Sequence, residues 1–307
     1  MKKIKFVTVL GVLLASCFLF TTTKATTTAT VLERSPNLDK QAETNNPSLD
    51  VEFSRLEQKF TAKLGVYAID TETNKAVTYN ANSRFGYAST YKALAGILLV
   101  RDMTWQALNE KIMINKEDLV DYSPITENYV GIGLSLKEMI SAAIQYSDNT
   151  AGNFLFKALD GPSGYQNKLV ALDDNITNAS RFEPDLNNLA PKDIRDTSTP
   201  RAVALNLKKL MLDNQLPEDK LMFIKKQMIE NETGSQLIRA GVPSQVVVAD
   251  KSGAANYGTR NDIAILYPPG RKPIVLVVFS NKFEEDSAYD NLLISSAAEI
   301  ISHYFSL

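Results

Sequence analysis

The chain has 307 residues, 44% of them hydrophobic and 22% charged, with a formal net charge of -2. That is enough apolar material for a large core and too little basic excess for a nucleic-acid surface, and no nucleic-acid-reading motif occurs in it. One histidine, His303, and one cysteine, Cys17, rule out an intrachain disulfide and a thiolate metal site, and they leave almost nothing from which to build a Ser-His-Asp triad or a zinc hydrolase. Serine chemistry in this chain must take its base from a lysine or a carboxylate.

Lys2, Lys3 and Lys5 precede an apolar run from Phe6 to Phe20 and then small residues, so residues 1–25 read as an export signal. The run is too short for a confident membrane span. Its end has two readings: cleavage after Ala25, or processing before Cys17, because Leu14-Ala15-Ser16-Cys17 resembles a bacterial lipobox. The second reading would place a lipid anchor at Cys17 as the chain's only link to a membrane. Residues 26–47, rich in Thr, Asn, Pro and charge, read as a disordered tether.

The folded part begins with Leu49, Phe53, Leu56 and Phe60, spaced as one apolar stripe of a helix. Strands follow at 63–70 and 75–80, joined by the turn-like Thr71-Glu72-Thr73-Asn74. From about Ser89 to Glu230 the periodicity is mainly helical. In residues 135–149, Leu136, Met139, Ile140, Ala143 and Ile144 share a face that delivers Ser147 to the interior. Strand signals return at 245–250, 259–267 and 273–280, before a last helix carrying Leu293, Ala297, Ile300, Ile301 and Tyr304. Strands at both ends with helices between predict one sheet lobe, 48–86 with 231–307, and an inserted helical lobe, 87–230, that includes a loop over 181–196. A cleft between lobes is the expected place for a site.

Four short elements stand out. Ser89-Thr90-Tyr91-Lys92 puts a hydroxyl and an amine three residues apart at a helix start, on one side of the helix; alone, the pattern is more often a cap and a solvated lysine. Ser147-Asp148-Asn149 precedes another helical run and has an N-cap reading. Lys251-Ser252-Gly253 follows the apolar Gln245–Asp250 strand and reads alone as the turn that ends it. Glu183-Pro184-Asp185-Leu186-Asn187 lies in an aperiodic stretch whose neck Arg181 and Asp196 would close by an ion pair.

In this order and spacing the four elements resemble the signature of class A serine β-lactamases and penicillin-binding proteins. The resemblance runs from about Pro47 to Leu307, and Asp121-Tyr122-Ser123-Pro124 and Thr259-Arg260-Asn261-Asp262 support it. It implies an α+β fold of two lobes: a five-stranded antiparallel sheet flanked by N- and C-terminal helices, plus an all-helical insertion. It implies Ser89 as nucleophile, with its own N–H and that of Ala254 as oxyanion hole, Lys92 or Glu183 as the base that takes the serine proton, and Ser147 as proton relay from Lys92 or Lys251 to the lactam nitrogen. Asn149 would hold Lys92 and the substrate amide; Lys251, Ser252, Gly253 and Arg260 would receive the substrate carboxylate side. Glu183 with Asn187 would hold the water that releases the acyl group, and the Glu183-Pro184 bond would be cis. A base of this kind requires Lys92 to be buried and its pKa depressed. The implied protein is an exported monomer acting on small β-lactams without metal or cofactor. A D,D-peptidase or a non-hydrolysing β-lactam sensor shares the Ser-Lys, Ser-Asn and Lys-Ser-Gly elements and is the alternative; the Glu183 loop distinguishes them.

Overall fold

A computed structural model describes residues 42–44 and 46–307, so the export signal and its two readings lie outside the described residues, as does the tether up to residue 41. Of the tether, Ala42–Thr44 forms a short strand, β1, that pairs in parallel with Lys75–Val77 at the edge of the sheet. Helix α1 (Pro47–Phe60) starts with Asn46, whose side chain accepts the Ser48 N–H, and with a proline in the first turn, where its missing N–H costs nothing. Leu49 and Phe53 from the predicted stripe are buried; Leu56 and Phe60 pack at the margin of the same cluster.

Strands β2 (Lys63–Asp70) and β3 (Lys75–Tyr79) form the expected antiparallel hairpin. Near the C-terminus come β4 (Val247–Ala255), β5 (Thr259–Tyr267) and β6 (Ile274–Asn281). The order across the sheet is β1-β3-β2-β6-β5-β4, five antiparallel strands from both ends of the chain plus the parallel β1. The strand sequences are apolar almost throughout because both faces are covered. Leu64, Val66, Ala68, Leu276 and Val278 pack with Leu293, Ala297 and Ile301 of the C-terminal helix, while Tyr67, Ile69, Ile263, Ile265, Val275 and Val277 face the helical lobe. Each such fully buried large side chain contributes about 2 kcal/mol.

Between the two sheet segments lie α2 (Tyr91–Asp102), α3 (Leu136–Gln145), α4 (Asn149–Ala158), α5 (Gly161–Val170), α6 (Pro200–Leu212) and α7 (Glu218–Ile229), with α8 (Asn291–Phe305) closing the chain. Helix α2 is buried at every residue from Tyr91 to Val100, which is what a helix with apolar residues all round requires. Ser135 and Glu138 cap α3 reciprocally. Asp148 caps α4 by accepting the Ala151 N–H at 2.8 Å.

One boundary differs from the sequence reading. Strand β4 does not turn after Asp250; it runs on to Ala255, because β5 stays paired with it through Lys251↔Ile263, Ser252↔Asp262, Gly253↔Asn261 and Ala254↔Arg260. The Lys-Ser-Gly element therefore lies on a strand, and that strand is the edge of the sheet that packs against the Ser89 turn.

Candidate active site

Ser89 sits in a 3-10 turn, Ala88–Thr90, that runs directly into α2, so Lys92 occupies the first turn of a helix buried on all sides. Ser89 is 7% exposed and Lys92 is wholly buried. Lys92 Nζ lies 2.9 Å from Ser89 Oγ, 2.8 Å from the Ser147 carbonyl, 2.6 Å from Asn149 Oδ1 and 3.0 Å from Glu183 Oε1. An ammonium has three protons, so four oxygens compete for them. Burial pushes the Lys92 pKa down, and the Glu183 carboxylate opposes that shift without cancelling it.

Close approach of α4 to α2 produces this crowding. A Cβ on Gly152 would stand 2.5 Å from the Tyr91 hydroxyl and 2.7 Å from Lys92 Cε, so only glycine admits the packing that brings Asn149 to the lysine. Ser147 leaves α3 with a positive φ of 60°, an uncommon backbone for a non-glycine residue, and this turn aims its carbonyl at Lys92 while its hydroxyl accepts from Lys251 Nζ at 3.1 Å. Asn149 also donates to the Asp121 carbonyl at 2.8 Å, which ties the segment ahead of the second motif to the site.

Lys251 arrives from the sheet side, fully buried, and also donates to the Ser252 carbonyl at 2.9 Å. Burial and the nearby positive charge of Lys92 hold its pKa down at about 7. Gly253 is where the edge strand touches the serine turn: a Cβ there would lie 3.1 Å from the Tyr87 carbonyl and 3.2 Å from the Ala88 Cβ. Ser252 shares a 2.6 Å hydrogen bond with Thr233, and Arg260 reaches the same end of the cleft with its guanidinium over the Tyr289 ring at 4.7 Å and its Nε donating to Asn291 at 2.8 Å.

Glu183 is brought in by the third wall. Its Oε1 is 3.4 Å from Ser89 Oγ, its Oε2 accepts from Asn187 at 2.6 Å, and the Glu183-Pro184 bond is cis, as the resemblance implied. Arg181 donates to Asp196 at 2.6 Å, and Asp196 also accepts from the backbone of Ser180 and Arg181 and from the Tyr87 hydroxyl, so the neck of the 181–196 loop is closed by one buried carboxylate with four donors.

All of Ser89, Lys92, Ser147, Asn149, Glu183, Asn187, Lys251, Ser252, Gly253, Ala254 and Arg260 thus converge on one place, and most line a cleft of about 470 Å³. Sequence reasoning missed three contributors. Asn153 clamps Glu183 through both backbone groups, at 2.8 and 2.9 Å; Thr233 partners Ser252; Tyr289 supports Arg260. None carries a local signal, since each acts on a residue at least 19 positions away.

Comparison with known proteins shows the family to which the chain belongs. The profile of the beta-lactamase enzyme family matches residues 48–305. The chain belongs to that family. It is 53% identical over 249 residues to a β-lactamase of Bacillus subtilis (strain 168), covering 81% of each chain, and 50% identical over 261 residues to β-lactamase 1 of Bacillus cereus, covering 85% of each. Among solved structures it resembles the class A β-lactamase from Clostridium kluyveri DSM 555, with a TM-score of 0.84 and 44% identity over 85% of this chain and all of that one. The four sequence elements therefore sit in a class A β-lactamase fold, with the sheet lobe supplying the Lys251 strand and the helical lobe the remaining three.

Proposed function

We propose that the protein hydrolyses the β-lactam ring of penicillins, and of some cephalosporins, through an ester formed on Ser89. One observation carries this reading: Lys92 Nζ bridges the hydroxyl of Ser89 at 2.9 Å and the carboxylate of Glu183 at 3.0 Å, so the nucleophile and a second base meet at one amine. A sensor that stays acylated needs the first contact only; rapid hydrolysis of the penicilloyl ester needs in addition a base for water beside it, and Glu183 Oε1 stands 3.4 Å from Ser89 Oγ.

In the forward step Ser89 Oγ attacks the lactam carbonyl and gives up its proton. Two acceptors are in reach, Lys92 Nζ at 2.9 Å and Glu183 Oε1 at 3.4 Å. The shorter contact and the depressed pKa of Lys92 favour the amine. The oxyanion is received by the N–H groups of Ser89 and of Ala254, the latter on an edge strand whose outward groups are free of the ladder. The Ser147 hydroxyl gives its proton to the lactam nitrogen as the C–N bond breaks and is reprotonated by Lys251, whose Nζ lies 3.1 Å from it, or by Lys92, which holds the proton taken from Ser89. Lys251, Ser252 and Arg260 meet the substrate carboxylate, Gly253 gives access, and Asn149 meets the side-chain amide.

Release needs water on the ester carbonyl. Glu183 takes its proton, and Asn187 helps to hold it: Asn187 Oδ1 is buried and has no hydrogen-bond partner among the described residues, while its amide is committed to Glu183. The proposal extends to place: the layout of residues 1–25 supports export, ending after Ala25 or before a lipidated Cys17, and the protein acts as a monomer.

The test is intact-protein mass spectrometry over time on wild type and Glu183→Ala with excess benzylpenicillin. Wild type should destroy many equivalents and show little adduct, while the variant accumulates one penicilloyl group. A long-lived adduct on wild type would overturn the reading in favour of a penicillin-binding protein or sensor.

A further inference from the structure

A second cavity, also of about 470 Å³, lies behind the 181–196 loop and shares no lining residue with the catalytic cleft. Its outer wall is the loop's second half, Leu189–Ile194; its inner wall is the end of the sheet where Lys63 pairs with Asn281. Leu189 fixes that wall twice, by exchanging hydrogen bonds of 3.0 Å with the Asn256 side chain and by packing onto Gly86, where a Cβ would fall 2.3 Å from its methyl.

Four cations line this cavity: Lys63, Arg84, Lys192 and Lys282. None makes an ion pair with a carboxylate among the described residues; Glu57 acts on Lys63 only from a greater distance. Arg84 spends its guanidinium on the neutral Thr197 hydroxyl and the Ile176 carbonyl, at 3.0 and 2.7 Å, and the three lysines make no ion pair among the described residues. The cavity's one acidic side chain, Asp193, is bound to Arg195 through three contacts of 2.7 to 3.2 Å. Lys63, Arg84 and Lys282 are part-buried and Lys192 is exposed; with Glu57 beyond ion-pair distance of Lys63, these like charges repel one another, and an anion among them reduces that cost. The rest of the lining mixes neutral polar residues, Ser83, Thr197, Thr259 and Asn281, with apolar and aromatic ones: the Phe85 ring lies 4.6 Å beneath Lys63 Nζ, and Phe283, 64% exposed, stands at the mouth.

We propose that this cavity is a binding site, separate from the catalytic cleft, for a small organic anion that joins a doubly charged phosphate-like group to an apolar or aromatic body. The charged group lies among Lys63, Lys192 and Lys282; the body lies against Phe85, Leu189 and Phe283. Its size is within the range of small-molecule sites.

Phenyl phosphate, inorganic phosphate and phenol are the probes, titrated calorimetrically into the full chain. Phenyl phosphate should bind with one-to-one stoichiometry, about tenfold or more tighter than inorganic phosphate because the ring is also buried. The double variant Lys63→Met/Lys282→Met should weaken it about tenfold or more with an unchanged Tm, since two charge-assisted contacts are lost and the fold is not. Affinity equal to wild type in that variant, or no saturable binding, would overturn the site. So would loss of phenyl phosphate binding in the penicilloyl adduct of Glu183→Ala, because the anion would then have been in the cleft. That last arm rests on the acyl-enzyme reading; the lysine variant does not, so the two can fail separately.

Discussion

Ser89 and Lys92 stand on a turn continuous with a helix buried over ten successive residues, whereas Glu183, 3.0 Å from Lys92, stands on a loop whose regular structure is the three-residue turn Asp185–Asn187. The serine side is positioned by apolar packing: α2 is surrounded by α3, α4 and α7, and the sheet edge closes on it through Gly253. The carboxylate side is positioned by polar pins, namely Asn153 on its backbone, Asn187 on its carboxylate, Arg181 and Asp196 at the neck, and Asn256 on Leu189. A packed helix moves as a unit or not at all, while a pinned loop loosens one hydrogen bond at a time. Acylation should accordingly be all-or-none in its response to substitution, and deacylation graded.

The largest expected effect is on the packed side. Ser89→Ala removes one oxygen from a small polar contact set and leaves the helix intact, so turnover should fall by about four orders of magnitude or more with the Tm near that of wild type. Covalent trapping of labelled penicillin by this variant would break the assignment of the nucleophile.

Next comes the neck of the loop. Arg181→Ala leaves the buried Asp196 carboxylate with its other three donors but without its counter-charge, which should cost about 2–3 kcal/mol of stability. Rapid-quench kinetics should find deacylation slowed about tenfold or more and acylation nearly unchanged. Equal slowing of both steps would mean the loop and the serine turn are one mechanical unit, and the contrast drawn above would fail.

Lys251 sharpens the comparison from the sheet side. Its pKa lies at about 7, so the positive charge it offers to a substrate carboxylate is present below that pH and is lost as the pH rises through it. KM for benzylpenicillin should therefore climb above pH 7, towards a limit of about tenfold per pH unit, with kcat less affected. Lys251→Arg, which keeps its charge, should flatten that rise. A wild-type KM independent of pH from 6 to 9 would show that the charge is not lost in the working enzyme.

The smallest effect belongs to Asn256→Ala, which removes the two hydrogen bonds to Leu189. It should cost about 1 kcal/mol and slow deacylation only a few-fold, as followed by single-turnover release of the penicilloyl group.

The amino-acid sequence by itself determined the elements whose signals are local. Helix α1, the β2–β3 hairpin, the amphipathic α3 and the strands at 259–267 and 274–281 follow from spacing of apolar residues within a few positions of each other. The scarcity of histidine and cysteine narrowed the chemistry to a lysine or carboxylate base, and the four motifs named the residues. What the spacing could not decide is whatever depends on a partner far along the chain. Strand β4 runs past Asp250 because β5 keeps pairing with it, a long-range hydrogen-bond ladder that no window around Lys251 contains. The clamp of Asn153 on Glu183, the hydroxyl pair of Thr233 with Ser252 and the support of Arg260 by Tyr289 and Asn291 likewise join segments 19 to 31 residues apart. The depressed pKa of Lys92 is of the same kind: a lysine three residues after a serine is ordinarily solvated and charged, and only the closing of α4 and the 181–196 loop around it takes the water away.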